Sequence, residues 1–186
     1  VPMALTNPWR LPLLFAVSGF ASRRLFDKGR DPFGFLKART LRLLVPVGFA
    51  LVMLLPPEMW VRARLTGYDQ GLITFWLRDY WRLQSPWGGF PQWEHLWFVV
   101  YLWGYTAVLA GLVRIAGTEW IDAFVERWLS PARILWLPIV LLVAVKWAMI
   151  FVIPERAGLF SDWTAHAEYL PILLFGFVLA GSDRLW

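Results

Sequence analysis

The fold of this chain is decided by the stretch Trp93-Glu94-His95-Leu96-Trp97-Phe98-Val99-Val100-Tyr101-Leu102-Trp103. A polar pair, Glu94 and His95, opens an apolar run that continues to Ile115 and carries Arg114 as its only charged residue. A run of about 20 residues, each rising roughly 1.5 Å along a helix, is long enough to cross a bilayer core of about 30 Å. The stretch therefore predicts a membrane-spanning helix with a carboxylate and an imidazole at its mouth.

The composition agrees with a membrane protein. Hydrophobic residues make up 59% of the 186 residues, whereas soluble domains hold about 45–50%. The apolar residues are gathered into long runs, and several of the 14 Trp lie near the ends of those runs, as in an interfacial belt. We therefore predict an all-α, polytopic transmembrane helix bundle. About five spans are expected, at 11–22, 43–55, 95–115, 134–153 and 169–180.

The ends of the chain bear on its domain organisation. It begins at Val1 in sequence that is already apolar, and it stops directly after the last apolar run. No signal peptide is recognisable. We expect residues 1–186 to form a single transmembrane domain that is truncated at both ends.

The charged residues predict an orientation. Residues 23–42 hold seven Lys and Arg against two Asp, whereas the later loops are balanced or acidic. Because basic loops stay on the cytoplasmic side, residues 23–42 are expected to be cytoplasmic and His95 to lie on the outer side. The net charge of +5 reports these basic loops and does not indicate nucleic-acid binding. The absence of Cys excludes thiolate chemistry, and two His form no metal-ligand cluster, so no metal is expected.

Local signals set the expected element boundaries. The first helix starts at Pro8 or Pro12, or else begins near Leu5 and carries Arg10 at its edge. Asp31-Pro32 is typical of a helix cap, and that helix runs into the second span, which Pro56-Pro57 should end. Residues 75–81 resemble an amphipathic interfacial segment. Residues 116–133 are expected to be a polar linker and 154–168 a loop.

Two arginines form the first candidate site. Arg39 and Arg42 lie three apart, so both point from one face of their helix at the cytoplasmic membrane boundary. Guanidinium groups bind phosphate bidentately, which favours a phosphorylated ligand. The same pair suits anionic lipid headgroups, or only sets the topology.

The polar residues at the outer mouth form the second candidate site. Glu94 and His95 could activate a hydroxyl, because imidazole titrates near neutral pH. Alternatively, His95 could cap its helix or form a hydrogen bond with a neighbouring span. Asp162 and His166 are four apart and could share a helical face. Lys146, within the fourth predicted span, is either functional or faces a watery cavity.

Four segments, in this order, resemble the membrane acyltransferase 3 family. They are Leu13-Leu14-Phe15-Ala16-Val17-Ser18-Gly19-Phe20, Phe35-Leu36-Lys37-Ala38-Arg39-Thr40-Leu41-Arg42-Leu43-Leu44-Val45-Pro46, His95-Leu96-Trp97-Phe98 and Tyr169-Leu170-Pro171-Ile172-Leu173-Leu174-Phe175-Gly176. The third and fourth are most similar to the branch that succinylates periplasmic glucans.

The resemblance implies an O-acyltransferase of the bacterial inner membrane. Its acyl donor would be cytosolic acyl-CoA, and its acceptor a sugar hydroxyl of an extracytoplasmic glycan. Arg39 and Arg42, with Lys37 beside them, would hold the CoA phosphates, and His95 with Glu94 would lie on the transfer path. The family's principal catalytic His lies on a helix that would precede Val1, so the chain alone is expected to be inactive.

Two other classes of function fit the residues. A transporter or flippase of an anionic lipid or glycan precursor would move its substrate without chemical change. A non-catalytic membrane partner of a glycan assembly enzyme would need neither Arg39 nor His95.

Overall fold

The described part of the chain is built from helices. The computed structural model describes residues 2–82, 96–128 and 163–181, and isolated positions between 136 and 147. The helices are α1 (Pro2–Asp27), α2 (Pro32–Phe49), α3 (Leu55–Leu65), α4 (Leu72–Thr74), α5 (Trp97–Trp128) and α6 (Trp163–Gly181), with two π-helical turns, π1 (Ala50–Leu54) and π2 (Phe75–Asp79). These ranges contain no strand, which confirms the all-α prediction.

Within the described ranges, three helical segments are long and apolar enough to cross a membrane: Pro32–Leu65, Trp97–Arg127 and Trp163–Gly181. They contain the second, third and fifth predicted spans. The first predicted span lies within α1, a 26-residue helix that is not among these three. The fourth, at 134–153, falls largely outside the described residues.

The two N-terminal helices differ from prediction at their prolines. α1 begins at Pro2, so a start at Pro8 or Pro12 is wrong, and the longer helix that carries an exposed Arg10 is found instead. The second span does not end at Pro56-Pro57, because π1 leads directly into α3. In π1 the Leu55 N–H donates to the Ala50 carbonyl, five residues back. This wider turn accommodates the two prolines, which have no N–H to offer the preceding turn.

The start of α2 is confirmed. Asp31 Oδ1 accepts hydrogen bonds from the backbone N–H groups of Phe33 and Gly34, both at 2.9 Å. These bonds satisfy two amides that have no partner within the helix.

Two predicted loops contain helix. Residues 116–128 belong to α5, which bends at Gly117, where φ is 74° and favours glycine. The apolar segment therefore ends where the sequence indicates, but a second helical segment follows. Residues 163–168 form the first turns of α6. Trp163, His166 and Tyr169 recur every three residues there, and their rings contact other aromatic side chains.

The chain divides into two compact units. Unit 1 comprises Val1–Arg39 and Tyr101–Trp186, and unit 2 comprises Thr40–Val100. The expected single domain, truncated at both ends, stays a prediction.

Unit 1 is held together by parallel packing of α1 against α6. A side chain at Gly19 would collide with the Leu173 carbonyl, and one at Gly176 with the Ala16 carbonyl. The two glycines therefore let the backbones approach closely. Residue numbers rise together along the contact, from Phe15 against Tyr169 to Arg23 against Gly181, so the two helices run in the same direction.

Unit 2 has its own apolar cluster around Phe75, to which α3, π2 and the turn between them contribute. Its buried members are Leu55, Met59, Ala63, Tyr68, Phe75 and Tyr80. The Tyr80 hydroxyl donates to the Leu51 carbonyl at 2.7 Å. The Tyr68 hydroxyl donates to Asp79 Oδ2 at 2.7 Å. Burial, and to a smaller extent this hydrogen bond, raises the pKa of Tyr68 to about 12. Both phenols therefore stabilise the cluster as hydrogen-bond donors.

Candidate functional site

Arg39 is the predicted site residue with the best-defined surroundings. It lies in α2, within unit 1, and is half-buried. Its Nη2 donates to Ser22 Oγ on α1 at 3.3 Å, and its guanidinium lies 5.7 Å from the centre of the Phe35 ring. Ser22 is fully buried, and its hydroxyl donates to the Ser18 carbonyl at 2.6 Å. The guanidinium therefore has a fixed orientation, with an aromatic ring and a hydroxyl as neighbours.

The other two predicted donor-binding residues are more exposed. Arg42 and Lys37 both have exposed side chains in α2. Arg42 follows Arg39 by three residues and neighbours it on the helix surface, whereas Lys37 precedes Arg39 by two and points to another side. Arg42 belongs to unit 2. Their roles, and that of Arg39, stay predictions.

The residues predicted at the outer mouth lie mostly outside the described ranges. These are Glu94, His95 and Asp162, and Lys146 of the fourth predicted span also lies outside those ranges. Their proposed roles stay predictions. His166, which the sequence pairs with Asp162, is described.

Arg23 forms a buried ionic centre that sequence reasoning missed. Its guanidinium donates to both carboxylate oxygens of Asp122 on α5, at 2.7 and 2.6 Å, and to Asp27 on α1 at 2.8 Å. It also lies 5.4 Å from the centre of the Phe177 ring on α6. Arg23 therefore ties three helices together. In the sequence it is one of seven basic residues in the stretch 23–42, and nothing local links it to a partner 99 residues away.

The His166 cluster is the second group of residues that sequence reasoning missed. We define it as His166 with the aromatic residues Tyr101, Tyr105, Trp163 and Tyr169. The Tyr105 hydroxyl and His166 Nδ1 are 2.8 Å apart. The Tyr101 ring lies 5.2 Å from the imidazole, centre to centre, and Trp163 lies 6.2 Å away.

Phe15 of α1 joins Tyr169 to the rest of this cluster. Its ring centre lies 4.8 Å from that of Tyr169 and 5.6 Å from that of Tyr105. In the sequence, the only indication of this cluster is that Trp163, His166 and Tyr169 recur every three residues.

Two regions of unit 1, at different levels of α1, differ in chemistry. Near the C-terminal end of α1 lie Arg23, whose charge is paired with Asp122 and Asp27, and the guanidinium of Arg39 from α2, which can bind a phosphate or carboxylate group. Near Phe15, half-way along α1, lies an imidazole–phenol pair that can donate and accept hydrogen bonds without a permanent charge. The arrangement can bind an anionic group in one region and a hydroxyl-bearing group in the other.

Comparison with known proteins identifies one family. A family model described as "Acyltransferase domain" matches residues 3–186, and the match runs through both units. No curated protein and no solved structure matches the chain.

Proposed function

Because this chain belongs to the acyltransferase domain family, we propose that the full-length protein transfers an acyl group from cytosolic acyl-CoA to a sugar hydroxyl of an extracytoplasmic glycan. Family membership supports acyltransferase activity in general, and the apolar helices support a membrane protein. The donor, its acetyl or succinyl group, the glycan and the bacterial inner membrane are the finer parts of the proposal.

One observation carries the donor assignment. Arg39 is a half-buried guanidinium, held by Ser22 and Phe35 at the end of α1 that follows the charge-free segment 11–22. An oriented guanidinium binds phosphate oxygens bidentately and loses little conformational entropy on binding. Arg39 and Arg42 would bind the phosphates of CoA, and Lys37, on another side of α2, would add to the positive potential.

The transfer step needs a hydroxyl, a base and a leaving thiolate. The acceptor hydroxyl oxygen attacks the thioester carbonyl carbon while a base removes the hydroxyl proton. The carbon–sulfur bond then breaks, the ester forms, and CoA leaves as a thiolate that takes up the proton. His95 is proposed as a base on this path, with Glu94 stabilising its imidazolium form.

The double substitution Arg39→Ala with Arg42→Ala tests the donor site in the full-length protein. Each lost charge-assisted hydrogen bond is worth about 1.5–3 kcal/mol, so acyl-CoA affinity should fall by about 100-fold or more. Arg62→Ala is the control, because Arg62 is an exposed arginine that pairs with Glu58. Binding of radiolabelled acetyl-CoA and succinyl-CoA is measured in detergent.

Unchanged affinity in the double variant would overturn the donor site. His95→Ala should preserve acyl-CoA binding and lower glycan acylation. Acylation at the wild-type rate would assign His95 to a structural role.

A further inference from the structure

The His166 cluster and the Arg39 site lie at different levels of α1. Phe15 contacts Tyr105 and Tyr169, whereas Ser22, seven residues later, accepts a hydrogen bond from Arg39. Seven helical residues correspond to about 10 Å along the axis. If the phosphates of a donor bind at Arg39, another part of the same donor must therefore extend along α1 to reach the His166 cluster.

We propose that the His166 cluster binds the acceptor, as a hydrogen-bonding and ring-stacking site for a neutral sugar. This inference rests on the proposed function and adds the place where the acceptor binds. Its starting point is the contact between Tyr105 and His166, which join α5 to α6 through a 2.8 Å hydrogen bond.

The chemistry of the cluster fits a sugar better than a charged ligand. Its polar atoms belong to one imidazole and several phenols, which donate and accept hydrogen bonds as sugar hydroxyls do. Its remaining surface is aromatic, and ligand sites typically combine apolar walls with a few placed polar groups. Trp163 is 61% exposed and lies beside His166, so its indole offers an open face to a sugar ring.

A buried hydroxyl between the two regions supports a ligand path. Ser18 is 8% exposed, and its Oγ has no hydrogen-bond partner among the described residues. It lies one turn from Phe15 and one turn from Ser22 along α1, and an unpaired buried hydroxyl costs about 1–3 kcal/mol. This hydroxyl lies at the level of α1 that a donor reaching from Arg39 to the His166 cluster has to cross.

Two substitutions in the full-length protein test the acceptor site. Tyr105→Phe keeps the ring contacts and removes the hydroxyl that meets His166, and Trp163→Ala removes the exposed indole. The donor is radiolabelled succinyl-CoA or acetyl-CoA, and the acceptor is a neutral, linear glucose oligosaccharide. Both variants should raise the KM for the oligosaccharide by about tenfold and leave acyl-CoA binding unchanged.

The chain offers matched controls for both substitutions. Tyr80→Phe removes a buried phenol hydrogen bond of nearly the same length, 2.7 Å to the Leu51 carbonyl, in unit 2. Trp120→Ala removes an indole that is 60% exposed, nearly the same as Trp163. Both controls should leave the KM for the oligosaccharide unchanged.

The outcomes separate this inference from the proposed function. If Tyr105→Phe and Tyr80→Phe change the KM for the oligosaccharide equally, the Tyr105–His166 hydrogen bond is purely structural and the inference is overturned. If the protein binds no acyl-CoA, the proposed function fails, and oligosaccharide binding is then measured directly by calorimetric titration. Loss of that binding in Tyr105→Phe would still support an acceptor site, whereas no binding to the wild-type protein would overturn it.

Discussion

Single residues in this chain act through partners on other helices. Arg39 depends on Ser22, and His166 on Tyr105. Buried serine and threonine hydroxyls in the described helices usually return their hydrogen bond to the carbonyl four residues earlier, as Ser22 and Thr106 do. Ser22 differs from Thr106 because it also accepts a bond from an arginine, which makes it a positioning residue for the proposed donor site.

Ser22→Ala should weaken acyl-CoA binding without slowing transfer at saturating donor. The substitution removes the hydroxyl that orients Arg39, a hydrogen bond worth about 0.5–1.5 kcal/mol, so the KM for acyl-CoA should rise about 3- to 10-fold. Steady-state kinetics of the full-length protein separate KM from kcat.

Thr106→Ala is the control for Ser22→Ala. Thr106 is also fully buried and donates to the Leu102 carbonyl at 2.7 Å. If both variants raise the KM for acyl-CoA equally, the effect of Ser22 is general packing and its positioning role is wrong.

At the scale of elements, the packing of α1 against α6 depends on two glycines. Near the C-terminal end of α1 it also depends on the charge of Arg23. Gly19 and Gly176 bring the backbones together, and Arg23 then fastens α1 to α5 and α6. Arg23 is buried, so both its bidentate bond to Asp122 and its bond to Asp27 are needed to compensate for its lost hydration. The ion pair between Arg62 and Glu58 joins two half-exposed side chains of one helix and contributes little by comparison.

Gly19→Ala and Gly176→Ala should destabilise the protein. In each variant the new methyl group meets a backbone carbonyl of the facing helix, which cannot move aside as a flexible side chain can. We expect a loss of about 1–3 kcal/mol, read as a lower apparent Tm in detergent.

Gly104→Ala is the matched control for Gly19→Ala and Gly176→Ala. Gly104 lies within α5, and a methyl group added there meets no atom within 4 Å. Its Tm should stay the same or rise, because alanine favours the helix by about 0.5–1 kcal/mol over glycine. If Gly104→Ala lowers the Tm as much as Gly19→Ala does, the close backbone contact does not explain the destabilisation by Gly19→Ala.

At the scale of the molecule, the topology of the predicted spans stays a prediction, and the directions of the unit 1 helices bear on it. α1 runs parallel to α6, and also to α5, because Phe15 contacts Tyr105 while Arg23 contacts Asp122. First, third and fifth spans must run in one direction if each span reverses the chain. The prediction that residues 23–42 are cytoplasmic rests on the positive charge of that stretch alone.

Cysteine labelling tests this orientation directly, because the chain contains no Cys. Lys37→Cys and Trp163→Cys place a thiol at exposed positions near opposite ends of the parallel helices. A membrane-impermeant maleimide should label the Trp163→Cys protein in intact spheroplasts, and the Lys37→Cys protein only after lysis. Labelling of both from the same side would contradict the topology.

The sequence by itself determined what depends on neighbouring residues and on composition. Long apolar runs predicted an all-α membrane protein, Asp31-Pro32 predicted the start of α2, and four short segments in order indicated the family. These signals are local, so they can be read without knowing how helices pack. They misplaced the ends of helices at Pro8, Pro12 and Pro56-Pro57, because a helix can continue through proline when the surrounding turn adjusts.

Only the tertiary structure decided which side chains meet. Arg23 and Asp122 are 99 residues apart, and Tyr105 and His166 are 61 apart. Whether such residues touch depends on the rotation of each helix about its axis and on its depth along its neighbours. For α1 and α6, those quantities are set by the close contacts at Gly19 and Gly176, where the sequence indicates only that a small residue is present.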